Sequence, residues 1–210
     1  MAKGLLVAAF EFSKVAEDEF NDWYDSEHIP ERERVPGFLT CERWIGAEEP
    51  RLSVATYDLS ALAVLRSPDY LKIAYQNLSP WSKRVTGRAT RLLRFEGEQI
   101  HPGHETAPKG AGGLLLVAFA VARDIESAFN DWYEKAHIPA LRAVPGVLSA
   151  RRFAALEGSH NYLALYHLEE PEVASGAEWQ RAAATASPEA IRPQMRNRLR
   201  FLCRRYRRAS

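Results

Sequence analysis

Two segments of this chain repeat each other at a spacing of 109 residues, counted from Phe20 to Phe129. The segment Phe20–Gly37 reads FNDWYDSEHIPERERVPG and the segment Phe129–Gly146 reads FNDWYEKAHIPALRAVPG, with eleven of the eighteen positions identical. Chance matching at ordinary residue frequencies would give about one identity. The chain is therefore predicted to be an internal duplication in which one folding unit occurs twice.

The repeat sets the expected domain boundaries. Residues 1–99 are predicted to form a first repeat, and residues 113–210 a second repeat that ends in a basic C-terminal tail. Between them, residues 100–112 are predicted to be a linker, because the stretch HPGHETAPKGAGG, from His101 to Gly113, is rich in glycine and proline and has no hydrophobic periodicity.

Within the first half the period of hydrophobicity changes in a fixed order. Leu5–Phe12 is an apolar run of strand length. A first helix is predicted next, because four residues recur at helical spacing: Phe20, Trp23, Tyr24 and Glu27. Pro30 is expected to end this helix. The later elements are two strands, a helical region and a last strand: Phe38–Ile45, Arg51–Leu59, Ala61–Val85 and Thr90–Phe95. The order is β-α-β-β-α-β, which predicts an α+β fold made of two ferredoxin-like repeats.

Alternation along the third element separates two faces. Leu52, Val54 and Thr56 lie on one face, whereas Ser53, Ala55 and Tyr57 lie on the other. In the second half, Tyr162, Ala164 and Tyr166 match the tyrosine-bearing set. We expect the aliphatic face to pack under the helices and the tyrosine face to lie between the two sheets, where it would line a pocket.

The repeated string F-N-x-W-Y-x-x-x-H-I-P-x-x-x-x-V-P-G, followed by a strand that carries an arginine, resembles the dimeric α+β barrel superfamily, and within it the EthD-like group. This resemblance covers both halves. It implies ferredoxin-like repeats whose sheets pair into a barrel, here as an intramolecular dimeric α+β barrel. The superfamily includes polyketide cyclases, muconolactone-type isomerases, quinol-forming monooxygenases and haem peroxidases, so the shared fold transfers no single reaction.

His28 is the first candidate for chemistry, because a histidine can exchange protons near neutral pH. Tyr24 lies one helical turn earlier, at the i, i+4 spacing that brings side chains together. Glu27 precedes His28, whereas Ala136 precedes His137, so only the first half has a carboxylate here. The alternative is structural: either histidine could cap the end of its helix.

Two arginines and two tyrosines complete the predicted site. Arg43 and Arg152 each share a strand face with apolar residues and could offer an inward cation to a carboxylate or enolate, or each could pair with an acid at the sheet edge. The predicted catalytic residues are His28, Glu27 and Arg43. The predicted substrate-binding residues are Tyr24, Tyr57, His137, Arg152 and Tyr166.

Other functional classes find little support in the sequence. The formal net charge of +1 does not favour nucleic-acid binding, although eight arginines lie between Arg192 and Arg208. Histidines and cysteines show no metal-ligand spacing, and no dinucleotide or nucleotide motif occurs, so no metal and no cofactor are predicted. No apolar stretch is long enough to span a membrane, and the chain is expected to be cytoplasmic.

Two functions remain open from the sequence. One is an enzyme that uses a pocket between sheet and helices for acid–base chemistry on an aromatic or polyketide-like compound, as an isomerase, cyclase, lyase or cofactor-free oxygenase. The other is a non-catalytic protein that binds a small ligand or acts in stress. The expected partner is a small molecule, and the expected state is a monomer with a pseudo-dimeric core or a homodimer.

Overall fold

In the computed structural model, which describes residues 2–155, 157–185 and 194–208, the strands and the first helical region follow the same order in both halves. The second helical region has two α-helices in the first half and one described α-helix in the second. The strands are β1 (Gly4–Glu11), β2 (Phe38–Gly46), β3 (Leu52–Leu59), β4 (Thr90–His101), β5 (Gly113–Ala120), β6 (Val147–Ala154), β7 (Tyr162–Leu168) and β8 (Arg196–Arg205). The α-helices are α1 (Glu17–Trp23), α2 (Ile29–Glu33), α3 (Pro68–Leu71), α4 (Pro80–Arg88), α5 (Glu126–Trp132), α6 (Ile138–Arg142) and α7 (Ala177–Thr185).

The strands close into one antiparallel barrel in the order β1-β3-β2-β8-β5-β7-β6-β4. Two seams join the halves. At one seam β2 pairs with β8 from Trp44 to Gly46, and at the other β4 pairs with β6 from Glu98 to His101. Each of these eight strands therefore has a neighbour on both sides, and closure protects the sheet from pairing with another chain.

The predicted assignment of the two sheet faces is wrong. Leu52 and Val54 lie inside the barrel in one cluster with Leu163 and Leu165 from the other half. Tyr57 instead packs outside, in a cluster that contains the aromatic residues of α1. A barrel of eight strands has an interior just wide enough for side chains to fill, and here the aliphatic residues share it with aromatic rings that include Trp44 and Phe153.

The first helix of each half does not end at its proline. A π-helical turn, Tyr24–His28, follows α1, and the chain then continues as α2, with Pro30 in its first turn. The wider turn pairs the Ile29 amide with the Tyr24 carbonyl, and a proline in the first helical turn sacrifices no required hydrogen bond. The second half repeats the arrangement with Tyr133–His137.

One end of the barrel interior is polar and joins the two halves. Arg151 of β6 donates to Asp58 of β3 at 2.8 Å, and both side chains are almost completely buried. The linker covers this pair, since the Ala107 amide donates to Asp58 and the Glu105 carbonyl accepts from Arg151. The linker is therefore bonded to the barrel rather than free in solvent.

Residues 1–104 expressed alone should self-associate or be insoluble. This fragment keeps β1 to β4 but loses both seams, so β2 and β4 become free edges, and the aliphatic face that fills the barrel is exposed. Size-exclusion chromatography with light scattering measures the outcome. A well-behaved monomeric fragment would contradict the expectation.

No helix among the described residues is long and apolar enough to cross a membrane.

Candidate functional site

Each half has a cavity between its helices and the outer face of its part of the barrel. The first cavity has a volume of about 130 Å³ and is lined by residues that include His28, Arg32, Tyr57, Tyr70, Tyr75, Arg91 and Arg94. The second has a volume of about 180 Å³ and is lined by residues that include Trp132, Tyr133, His137, Tyr166, Trp179, Arg198 and Arg200. A histidine, a tyrosine of the third strand and two arginines of the last strand recur in both.

His28 closes the π-helical turn and lies against two aromatic rings. Its ring centroid is 4.4 Å from that of Trp23 and 5.2 Å from that of Tyr24. Among the described residues the buried Nδ1 atom has no hydrogen-bond partner, although the residue as a whole is half-buried and borders the cavity. Burial lowers the pKa of His28 well below its usual value, and the charges of Arg32 and Arg43 lower it further. The imidazole is therefore neutral at physiological pH.

Tyr57 shares the first cavity with His28. Its ring is almost completely buried, and no described residue forms a hydrogen bond with its hydroxyl. Burial raises the pKa of Tyr57 well above its usual value, so the phenol stays protonated. Tyr24 is also fully buried, its hydroxyl is likewise unpartnered within the described ranges, and burial raises its pKa to about 12. It packs against His28 but does not line the cavity.

Glu27 lies next to His28 in the chain but not in the cavity. Its Oε1 accepts hydrogen bonds from Ser79 at 2.6 Å and from Ser82 at 2.9 Å. Ser79 also caps α4, since its hydroxyl accepts from the Ser82 amide. The carboxylate thus fastens the π-helical turn to α4.

Arg43 is buried between two rings at the other side of the π-helical turn. Its guanidinium lies 4.2 Å from the ring centroid of Tyr24 and 3.9 Å from that of Tyr206, and it donates to Asp25 and Asn21. The sequence left open that this arginine pairs with an acid at the sheet edge; it does pair with an acid, but Asp25 lies in the π-helical turn.

The basic C-terminal tail packs back on the first half. The Tyr206 hydroxyl donates to Asp25 at 3.0 Å, and Arg208 donates to Asp22 on the same helical segment. Arg192 lies outside the described residues.

The second half holds its predicted residues differently. His137 and Tyr166 border the second cavity, and the Tyr166 hydroxyl is hydrogen-bonded to that of Tyr133 at 3.1 Å. Arg152 is buried over the Tyr133 ring and donates to Asn130. Of the two third-strand tyrosines, Tyr166 therefore has a described hydrogen-bond partner and Tyr57 does not.

Several cavity residues were not expected from the sequence. Arg94 of β4 donates to Glu96 and to Tyr70, and Tyr75 has a left-handed backbone with φ of 55°. A left-handed conformation is uncommon for tyrosine and strains the backbone. Such strained residues are often found at functional sites. The helical region that carries Tyr70 and Tyr75 is broken by prolines, so its periodicity did not reveal which side chains point inward.

Metal binding finds no support in the described part of the chain, where no three histidine, cysteine, aspartate or glutamate residues gather closely enough to hold an ion.

No protein-family model matches the chain, and no curated protein matches it. Several solved structures do match the chain in fold. An anthrone oxidase-like protein has a TM-score of 0.65 at 13% identity, covering 97% of this chain and 92% of that one. A variant of chlorite dismutase from Candidatus Nitrospira defluvii has a TM-score of 0.61 at 10% identity, covering 98% and 91%.

A haem-binding protein from Thermus thermophilus has a TM-score of 0.57 at 10% identity, covering 97% of this chain and 91% of that one. Likeness at such low identity transfers the architecture and no activity. Together with the closed eight-stranded order, these matches show that the chain has the dimeric α+β barrel fold.

Proposed function

We propose that the chain is a small-molecule enzyme that performs acid–base chemistry in the first cavity, on an aromatic or polyketide-like compound. One observation carries the proposal: His28 and Tyr57 line the same cavity, and each has a buried polar atom that no described residue satisfies with a hydrogen bond. Buried polar groups in native proteins are nearly always paired, so an exception calls for an explanation. A bound ligand would supply the missing partners.

The two groups suit the removal of a proton next to a carbonyl. Burial holds the pKa of His28 low, so its imidazole is neutral and has a free lone pair that can accept the proton. The protonated hydroxyl of Tyr57 can donate a hydrogen bond to the carbonyl oxygen, where negative charge develops as the enolate forms. Return of the proton to another atom completes an isomerisation, and attack of the enolate on a second carbonyl completes a cyclisation.

Glu27 and Arg43 are proposed to be positioning residues rather than catalytic ones. Glu27 ties the π-helical turn to α4, and Arg43 ties the same turn to β2 through Asp25. Both ties act on the segment that ends at His28. Their effect on activity would therefore pass through the orientation of the imidazole.

The proposal also includes the evolutionary origin, the cellular location and the oligomeric state of the chain. The sequence repeat and the matching element order support two ferredoxin-like units that arose by internal duplication, similar to the EthD-like group. We further propose a cytoplasmic protein that is a monomer with a pseudo-dimeric core or a homodimer.

Haem is the cofactor that one structural neighbour suggests, since that neighbour is a haem-binding protein. The two cavities that contain His28 and His137 have volumes of about 130 Å³ and about 180 Å³. A cavity of about 150 Å³ holds one benzene ring, and a porphyrin is several times larger than benzene. Neither of these two cavities fits haem, and the proposed chemistry does not use it.

Solvent deuterium exchange tests the proposal without knowledge of the natural substrate. The protein is incubated in D₂O with a panel of small aromatic ketones, and deuterium at the carbon next to the carbonyl is followed by NMR. His28→Ala should slow enzyme-dependent exchange by about 10²-fold or more, the usual contribution of a general base. It should cost little stability, whereas His137→Ala should lower stability and leave exchange intact.

Two results would speak against the enzyme. Equal loss of stability from both histidine variants, with exchange unchanged, would make both residues scaffold. Absence of exchange across the panel, together with a small molecule released from the purified protein on denaturation, would favour the non-catalytic binding protein.

A further inference from the structure

We propose that the second cavity is a separate binding site for a small planar organic anion, namely the carboxylate or phenolate of a single-ring compound, held by Arg198 and Arg200 of β8. The proposal is independent of the acid–base chemistry assigned to the first cavity.

The alternation of β8 directs both arginines to the cavity. Phe201 lies in the barrel core and Leu199 packs against it, so the neighbouring Arg198 and Arg200 face the opposite side of the sheet. There they line the cavity together with Val117, which is opposite Arg200 in the strand register.

The charges of these two arginines are not neutralised by ion pairs. Across residues 2–155, 157–185 and 194–208, Arg198 and Arg200 form no salt bridge, whereas two later arginines of the strand do: Arg204 pairs with Glu172, and Arg205 with Glu42. None of the described residues that line the cavity is acidic. Both side chains are largely exposed; partial burial lowers the pKa of Arg200 and the charge of Arg198 lowers it further, whereas the charge of Glu48 raises it. Two like charges without ion-pair partners beside a cavity favour an anion.

The walls determine the body of the ligand. Tyr166 and Trp179 meet edge to face, with ring centroids 5.2 Å apart, and Trp132 and Tyr133 line the same space. The volume of about 180 Å³ is close to that of an engineered apolar cavity of about 150 Å³ that binds benzene. One aromatic ring with one charged substituent fits these dimensions.

The first cavity is a poorer site for an anion, because most of its positive charge is already neutralised. Arg94 bonds to Glu96 at 2.6 Å, and Arg32 bonds to Glu31 at 2.6 Å. The two cavities should therefore differ in their preference for charged ligands, although both contain a histidine and a tyrosine.

Benzoate and benzamide are the probes, because they share one shape and differ in charge. By isothermal titration calorimetry on the full chain, benzoate should bind at least about tenfold more tightly than benzamide, the scale of one charge-assisted hydrogen bond. The double variant Arg198→Gln, Arg200→Gln should remove this preference and leave the thermal midpoint unchanged. The matched control is Arg196→Gln, which removes an equally exposed charge from the same strand, but outside the cavity, and should change nothing.

Three results would overturn the proposal. The first is equal affinity for benzoate and benzamide, or no measurable binding of either. The second is a loss of benzoate affinity in Arg196→Gln as large as that in the double variant. The third is a loss of benzoate binding in Arg91→Gln, at the first cavity, while the double variant still binds benzoate. His28→Ala should leave benzoate binding intact. Failure of the acid–base proposal would therefore not be mistaken for failure of this one.

Discussion

Replacing Trp23 with alanine should lower the free energy of unfolding by about 3 to 5 kcal/mol, the range for truncation of large buried aromatic side chains. The Trp23 side chain has no solvent exposure, contacts the rings of Phe20 and His28, and donates from its indole nitrogen to Ser82 at 2.9 Å. Its removal leaves a cavity beneath the π-helical turn and an unfilled acceptor on α4. Urea denaturation followed by circular dichroism measures the change.

The adjacent Asp22→Asn is the control for Trp23→Ala. Asp22 is paired with Arg208 at the surface, and exposed ion pairs contribute about 0 to 1 kcal/mol. Trp132→Ala is a second comparison, because Trp132 borders the second cavity and its loss enlarges a space that already exists. It should cost less than Trp23→Ala. A shift within error for Trp23→Ala would show that this side chain is not part of the core.

Arg151→Met should destabilise the protein by about 3 to 5 kcal/mol, the cost of leaving one member of a buried ion pair alone. The side chains of Arg151 and Asp58 are 1% and 2% exposed, and their 2.8 Å contact joins β6 to β3 across the two halves. Without the guanidinium, the Asp58 carboxylate would remain inside the barrel with its hydrogen bond from the Ala107 amide and without a cation to balance its charge. Thermal and chemical denaturation both measure the loss.

Two further variants identify the cause of that loss. The double variant Arg151→Met, Asp58→Asn should be more stable than Arg151→Met, because the asparagine keeps an acceptor for the Ala107 amide and has no charge to bury. Arg142→Ala breaks the exposed Arg142–Glu105 pair and should have little effect. A double variant as unstable as the single one would mean that lost packing, not an isolated charge, dominates.

The candidate site could be predicted in part. His28 and Tyr57 were predicted from the sequence, and the structure brings both to one cavity. Glu27 and Arg43 were predicted with them but bond to Ser79 and Asp25 instead. Glu27 and Asp25 both lie in the π-helical turn, which adds one residue to a helical repeat and rotates the side chains that follow it. A regular helical period does not reveal such a turn.

The sequence by itself determined the order of strands and helices, because that order depends on local periodicity, and it located the repeated segment that carries His28 and His137. Only the tertiary structure decided which sheet face lies inside. Both faces of β3 are completely buried, so alternation distinguishes them without indicating what covers each. Which face lies inside depends on strands that are distant in the chain. Pairing of β8 with β2 and of β6 with β4 closes the barrel around the aliphatic face. The tyrosine face then remains outside, where it packs against the helices and borders the cavities beneath them.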